Sequence, residues 1–140
     1  MNERERNLET TRRALDAFSR GALDEAVGYI DPDVEWHVAF RLPDLPASKD
    51  ILRSREEVLD LWRAFTSAWA RIGLEIEKFL YADDERQVLR ARFVGKGPES
   101  GIEVDRIVFL SYRIRDGRLV YSRTHDDEVS ARRDLGLDDD

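Results

Sequence analysis

The chain has 140 residues, 41% of them hydrophobic and 38% charged, with a formal net charge of −7 and no cysteine. One domain with one core fits that length; the acidic balance disfavours nucleic acid as a partner, since phosphate binding needs a basic face, and the lack of cysteine excludes disulfides, thiolate nucleophiles and cysteine-ligated metal sites. The start, MNERERN, lacks the apolar stretch of a secretory signal, and no apolar run approaches membrane-spanning length, so a soluble cytoplasmic protein with no membrane partner is expected.

In chain order, Leu8, Thr11, Leu15 and Phe18 recur at helical spacing and predict an amphipathic helix over roughly 4–20, closed by Gly21. Leu23, Ala26, Val27 and Ile30 form a second, shorter helical stripe that Asp31-Pro32 ends, because proline restricts its predecessor. Alternation from Val34 to Phe40 predicts a strand, and residues 41–53, with Pro43 and Pro46, a loop. Ser54 and Glu57 fit a capping box, and Val58, Trp62, Phe65, Trp69 and Ile72 follow in steps of four, three, four and three, a helical stripe that should pack on a sheet.

Strands follow over Leu74–Ala82, Gln87–Val94, Glu103–Arg115 and Leu119–His125, with a Gly/Pro-containing connection at 95–101 and the two-residue hairpin signal Asp116-Gly117. Asp126 or Asp127 can cap a final helix ending near Gly136. Helices followed by hairpin-linked strands give the α+β class: a curved, mainly antiparallel sheet with helices on one face. One domain over 1–140, with a core from 7 to 137, is expected.

In this order and at these spacings, "AFSRGALDEAVGYIDPDVEW" at 17–36, "REEVLDLWRAF" at 55–65, "GKGPESGIEVD" at 95–105, "RDGRLV" at 115–120 and "HDDEVSARRDLGL" at 125–137 resemble the SnoaL-like branch of the nuclear transport factor 2-like superfamily. The resemblance implies a cone, in which three N-terminal helices and a short C-terminal helix wrap a bent sheet around an internal pocket, and dimers formed through the outer sheet face. It implies no single reaction, because the superfamily includes ketosteroid isomerase-like enzymes, polyketide cyclases, epoxide hydrolases, dehydratases and non-catalytic binders.

The site therefore rests on individual residues. In isomerase-like relatives a carboxylate base sits on the first strand, near the position of His37 here, and an imidazole can do the same proton transfer. His125 is the chain's other histidine, and the two could converge as an acid–base pair; otherwise each is an ordinary strand residue. Two imidazoles could also ligate a metal with Asp105, Glu35 or Asp127 as third ligand, but no HxH or HxxxH spacing occurs, so neither metal nor cofactor is expected. Asp105 heads a late strand, where relatives place an acid; the alternative is a cross-strand ion pair with arginine.

Tyr29, Tyr112 and Tyr121 can donate to a carbonyl or pack with a wet tip. Tyr121 shares strand parity with Arg123 and His125, and an inward Arg123 would favour an acidic or carbonyl-bearing ligand. Trp36, Trp62, Phe65 and Trp69 supply an apolar wall that is core and pocket at once. An epoxide-hydrolase relay is not expected, since the acid it needs on the last strand falls on Thr124.

Three functions follow as expectations. The first is proton transfer next to the carbonyl of a small apolar ligand, as in isomerisation or cyclisation, with His37, Asp105 and His125 as catalytic groups and Tyr29, Trp36, Trp62, Phe65, Tyr121 and Arg123 as ligand contacts. The second is non-catalytic ligand binding. The third is assembly: Ile107 and Phe109 on one parity and Val108, Leu110 and Tyr112 on the other predict a sheet covered on both faces, the outer one by a second copy. His37 is expected to face into the cone, with the 41–53 loop as a lid.

Overall fold

The structure is a computed structural model and describes residues 2–38, 50–69, 71–97 and 103–137. Helix α1 (Glu3–Ser19) is capped by Asn2, whose side chain accepts the Glu5 N–H, and it buries the predicted stripe of Leu8, Thr11, Ala14, Leu15 and Phe18. Gly21 turns the chain at φ +78°, and α2 (Leu23–Val27) follows.

The second helix is shorter than its stripe predicts. Ile30 is fully buried but already belongs to β1 (Ile30–His37), so Asp31-Pro32 lies within a strand and does not precede one. Pro32 is tolerated because the β1 register breaks between Ile30 and Glu35, where the missing N–H costs no ladder bond. Asp31 accepts the Asp33 N–H at 2.9 Å, a local Asx turn that fills the gap.

A two-residue strand, β2 (Ile51–Leu52), lies in the segment expected to be loop and pairs with Trp36 and His37 of β1. Helix α3 (Arg55–Ala68) begins at the predicted cap: Ser54 Oγ accepts the Glu57 N–H, and the Glu57 carboxylate reaches back to the Arg53 N–H. Then come β3 (Arg71–Ala82), β4 (Arg86–Lys96), β5 (Glu103–Arg115) and β6 (Arg118–His125). The β5–β6 hairpin turns through Asp116 and Gly117, both at positive φ. Helix α4 (Glu128–Asp134) is capped by Asp127, whose carboxylate accepts the Ser130 N–H at 2.7 Å.

The six strands form one open sheet in the order β2-β1-β6-β5-β4-β3, in which β1 and β6 run parallel and every other neighbouring pair runs antiparallel. The fold is α+β, as expected. Helices α1 to α3 cover the inner face, where Leu89, Ala91, Phe93, Val108, Leu110, Tyr112 and Ile114 meet Leu15, Phe18, Val58, Trp62 and Phe65 in the main core.

Helix α4 departs from the one-sided arrangement. Its Ala131 and Leu135 join a separate cluster with Val88, Leu80, Tyr81, Phe109 and Tyr121. Val88 and Phe109 have the parity opposite to the core residues Leu89 and Leu110, so α4 lies on the outer face. The apolar outward residue Phe109 is thus covered within one chain, with the Arg90 guanidinium 5.8 Å from its ring centroid.

Candidate functional site

Two adjoining spaces open at the β1–β6 end of the sheet. The first is an apolar cavity of about 70 Å³ inside the cone. Trp62 stands between Phe18, at 5.2 Å between ring centroids, and Trp36, at 5.5 Å and nearly perpendicular. Phe65, Leu110 and Tyr112 complete most of the wall, and Ser122 and Thr124 of β6 give it a polar side. The volume holds on the order of five waters, well below the ~300–1,000 Å³ of common ligand pockets. A fused polycycle would have to displace the tryptophans.

The second space is a polar cleft of about 550 Å³, open to solvent and bordered by His37, Arg106, Arg123, His125, Asp126 and Ser130 among others. His37 and Thr124 border both spaces. The two histidines therefore share the cleft, while only His37 reaches the cavity.

Strand register determines which side chains look inward. Trp36 pairs with Ser122 and Glu35 with Tyr121, so Trp36 projects into the cone while Glu35 and His37 take the outer parity, with Tyr121, Arg123 and His125. The expectation that His37 faces the cone is corrected accordingly: it touches the cavity at its mouth, from a strand whose inward side chain is Trp36. Its Nε2 lies 2.8 Å from a Glu35 carboxylate oxygen, and its ring packs on Tyr121 at 5.3 Å. A carboxylate beside Nε2 holds the proton there and leaves Nδ1 with its lone pair, the arrangement a base requires.

His125 sits in a tighter network. Its Nε2 is 2.9 Å from Ser111 Oγ, which lies 2.6 Å from Asp134 of α4; the Tyr121 hydroxyl donates to the same carboxylate at 2.7 Å. Ser111 has one proton, and the short bond to an anionic acceptor claims it, so His125 Nε2–H donates to Ser111. Burial lowers the His125 pKa, and Arg123 lowers it further, against the attraction of Asp134. Burial raises the Asp134 pKa, but hydrogen bonds from Ser111 and Tyr121 outweigh it and the net shift is downward. Tyr121 is pushed up to about 12 by burial and by the Asp134 hydrogen bond.

Serine, histidine and aspartate meet here without forming a nucleophilic triad. Ser111 is fully buried, and it shares the Nε2 side of the ring with Asp134, whereas a relay uses both ring nitrogens. The cluster docks α4.

The remaining candidates are dispersed. Asp105 is exposed on the outer face and paired with Arg92, which lowers its pKa; it does not meet either histidine's cluster. Tyr29 borders a separate groove with α1 and the Asp116-Gly117 turn. Trp36, Trp62 and Phe65 line the cavity, whereas Tyr121 and Arg123 belong to the outer cluster. Asp127 is engaged as a helix cap, and among the described residues no group of three His, Asp or Glu side chains is placed to hold a metal. Thr124 lines the cavity, so the inward position of β6 that a relay acid would need carries a hydroxyl. The lid expected at 41–53 falls mostly outside the described residues.

Sequence reasoning missed Ser111 and Asp134. Ser111 is a polar residue at a fully buried strand position within apolar alternation, a signal that parity alone could have raised. Asp134 gave no signal, because its role depends on which sheet face α4 covers.

Residues 11–122 match the family model of the SnoaL-like domain. Among solved structures, Bal32a from a soil-derived mobile gene cassette superposes with a TM-score of 0.74 at 21% identity, over 89% of this chain and 91% of that one. An NTF2-like protein of unknown function from Burkholderia pseudomallei gives 0.70 at 23% identity, over 95% and 97%. A putative polyketide cyclase from Xanthomonas campestris gives 0.69 at 14% identity, over 90% and 93%. These likenesses show the shared fold. A search of curated proteins finds no match.

Proposed function

From the premise that this chain belongs to the SnoaL-like family, we propose that it binds a small, apolar, carbonyl-bearing molecule in the cone and moves a proton next to that carbonyl without a cofactor, as in isomerisation or cyclisation. The observation that carries this reading is His37: paired with Glu35, it borders both the apolar cavity and the polar cleft. An apolar body sits in the cavity with its acidic C–H at the mouth. His37 Nδ1 takes that proton, Glu35 stabilises the resulting imidazolium, and the proton returns to the same or a conjugated carbon. General-base catalysis of this kind contributes about 10²–10⁴-fold.

The test needs no knowledge of the natural substrate. Butanone in D₂O exchanges its α-protons slowly, and NMR follows the exchange. The chain should accelerate it, and His37→Ala should remove most of the acceleration, with Glu35→Gln removing part. Exchange that continues unchanged in His37→Ala would overturn the assignment.

A second reading, non-catalytic ligand binding, draws on the outward parity of His37. Butanone that binds without accelerated exchange would favour it. Under either reading a homodimer through the outer face would use the part of the sheet that α4 leaves open, around Val94 and Ile107; a sedimentation profile of monomer alone at micromolar concentration would argue against that.

A further inference from the structure

Arg106 stands at the mouth of the cone and has no part in the reading above. On β5 it has the inward parity of Val108 and Leu110, and it pairs with Phe93, a residue of the cavity wall. It borders the polar cleft, onto which His37 also opens. The side chain therefore continues the apolar wall outward and ends in a permanent positive charge.

That charge is lightly held. Its partner among the described residues is Asp126, reached through Nη2 alone, which leaves Nε and Nη1 without an acceptor there. The two side chains are 52% and 80% exposed, and ion pairs so exposed hold weakly. Arg123, the other arginine of the cleft, instead faces the largely buried Asp134 at 3.5 Å. A carboxylate can displace Asp126 and accept from the guanidinium fork at two points. Because Asp50, Asp126 and Asp127 also border the cleft, free anions do not gather in it. A carboxylate is held there only when tethered to a body that the cavity already binds.

We propose that Arg106 anchors a carboxylate carried by the ligand, with Asp126 as the internal group that the ligand replaces. In the sheet β6 lies between β1 and β5, so His37 and Arg106 are two strand spacings apart, about 10 Å. Side chains from both strands shorten that span, and a short methylene chain between reacting carbon and carboxylate bridges it. The ligand class is thus an oxo acid: an apolar end in the cavity, a carbonyl at the mouth and a carboxylate in the cleft. This inference rests on the ligand-binding reading and adds a charge and an orientation to it.

5-Oxooctanoate and its methyl ester share a propyl end, which suits space for on the order of five waters, and differ in charge. NMR titration of both against the full chain, Arg106→Gln, Asp126→Asn and the double variant tests the anchor. The unmodified chain should bind the acid more tightly than the ester. Arg106→Gln should lower the acid-to-ester ratio of affinities by about tenfold, the loss of one charge-assisted hydrogen bond. Asp126→Asn should raise the ratio, because it removes the competing carboxylate, and the double variant should lose that gain. Both positions are exposed, so the fold tolerates the substitutions. A ratio unchanged in Arg106→Gln, a ratio that falls in Asp126→Asn, or a gain kept in the double variant overturns the anchor and leaves a neutral ligand standing. If neither compound binds the unmodified chain, the ligand-binding reading fails, and this inference with it. Acid binding that depends on Arg106, without accelerated exchange of butanone, upholds the anchor and removes the proton-transfer reading.

Discussion

Replacing Asp134 with alanine tests the docking of α4 and the state of His125 together. The carboxylate is 13% exposed and accepts from Ser111 at 2.6 Å and Tyr121 at 2.7 Å, with His125 Nε2 and an Arg123 nitrogen each at 3.5 Å. A hydrogen bond to a charged partner contributes about 1.5–3 kcal/mol. Two that share one acceptor are not additive, and Tyr121 can turn to water, so the expected loss is ~2–4 kcal/mol. Denaturant unfolding measures it, and amide exchange in 128–134 shows whether α4 detaches before the sheet melts.

The charge has a second readout. Asp134 holds the His125 pKa up against burial, so its removal lets that pKa fall further below the usual histidine value. Asp134→Asn, which keeps the shape and one acceptor, should do the same by NMR titration with a smaller loss of stability. Both groups have lowered folded-state pKa values. Each therefore adds stability above its unfolded pKa, and that stability is lost as pH falls, first below about 6.5 for His125 and then below about 4 for Asp134. The lower step should vanish in Asp134→Asn. A loss under about 0.5 kcal/mol for Asp134→Ala, with amide exchange in α4 unchanged, would refute the docking argument.

Trp62→Ala should cost ~3–5 kcal/mol by denaturant unfolding and admit larger apolar ligands, since Trp62 holds Phe18 and Trp36 together across the cavity. Gly95→Ala should destabilise by about 1–3 kcal/mol in thermal unfolding, because a Cβ there would lie 2.9 Å from the Trp69 ring. The Asp83 carboxylate is raised by burial but lowered more by the Glu85 and Arg86 N–H groups, Tyr81 and the Arg86 guanidinium, reaching about 2. Its stabilisation is present above about pH 4 and disappears as pH falls toward 2. Allowing for solvent exposure, Asp83→Ala should remove roughly 1–2 kcal/mol at neutral pH and flatten the acid limb of the stability profile.

Much of the fold was legible because local rules and tertiary packing agree. The α1 stripe, the α3 stripe as far as Phe65, the Ser54 cap and the Asp116-Gly117 turn each encode their element in neighbouring residues, and the structure places them there; Trp69, extended at φ −121° and ψ 138°, and Ile72, in β3, instead lie beyond the helix whose stripe they were expected to continue. The misplaced boundary at Ile30–Pro32 shows where such rules compete. Leu23, Ala26, Val27 and Ile30 fit a helical period, but Ile30 gains full burial by joining the sheet, and an edge position with broken register removes the usual objection to proline. The short strand β2 had no local signal of its own, because its pairing partner is Trp36-His37, far along the chain.

The site was less legible, because alternation reports which residues share a face and never which face is inside. Tyr121, Arg123 and His125 were grouped correctly by parity, and the structure gathers all three around Asp134. That grouping could not say that the shared face is the outer one, since the sign depends on Trp36 meeting Trp62 and on α4 crossing the sheet.

The arrangement has a chemical consequence. Polar groups that need solvent or a charge partner, His37, His125 and Arg123, collect at the mouth, where protonation and desolvation can be matched to a reaction. Inside, the cavity is walled by Phe18, Trp36, Trp62, Phe65 and Leu110, with the neutral hydroxyls of Ser122 and Thr124 on its β6 side. On the proposed function, an apolar body held there would place its reacting carbon at the mouth beside His37. His37→Ala should then slow α-proton exchange of butanone by about 10²–10⁴-fold, whereas His125→Ala, at the cleft but not the cavity, should leave most of it. Exchange retained in His37→Ala would place the base elsewhere, and His125, across the same cleft, would be the next group to replace.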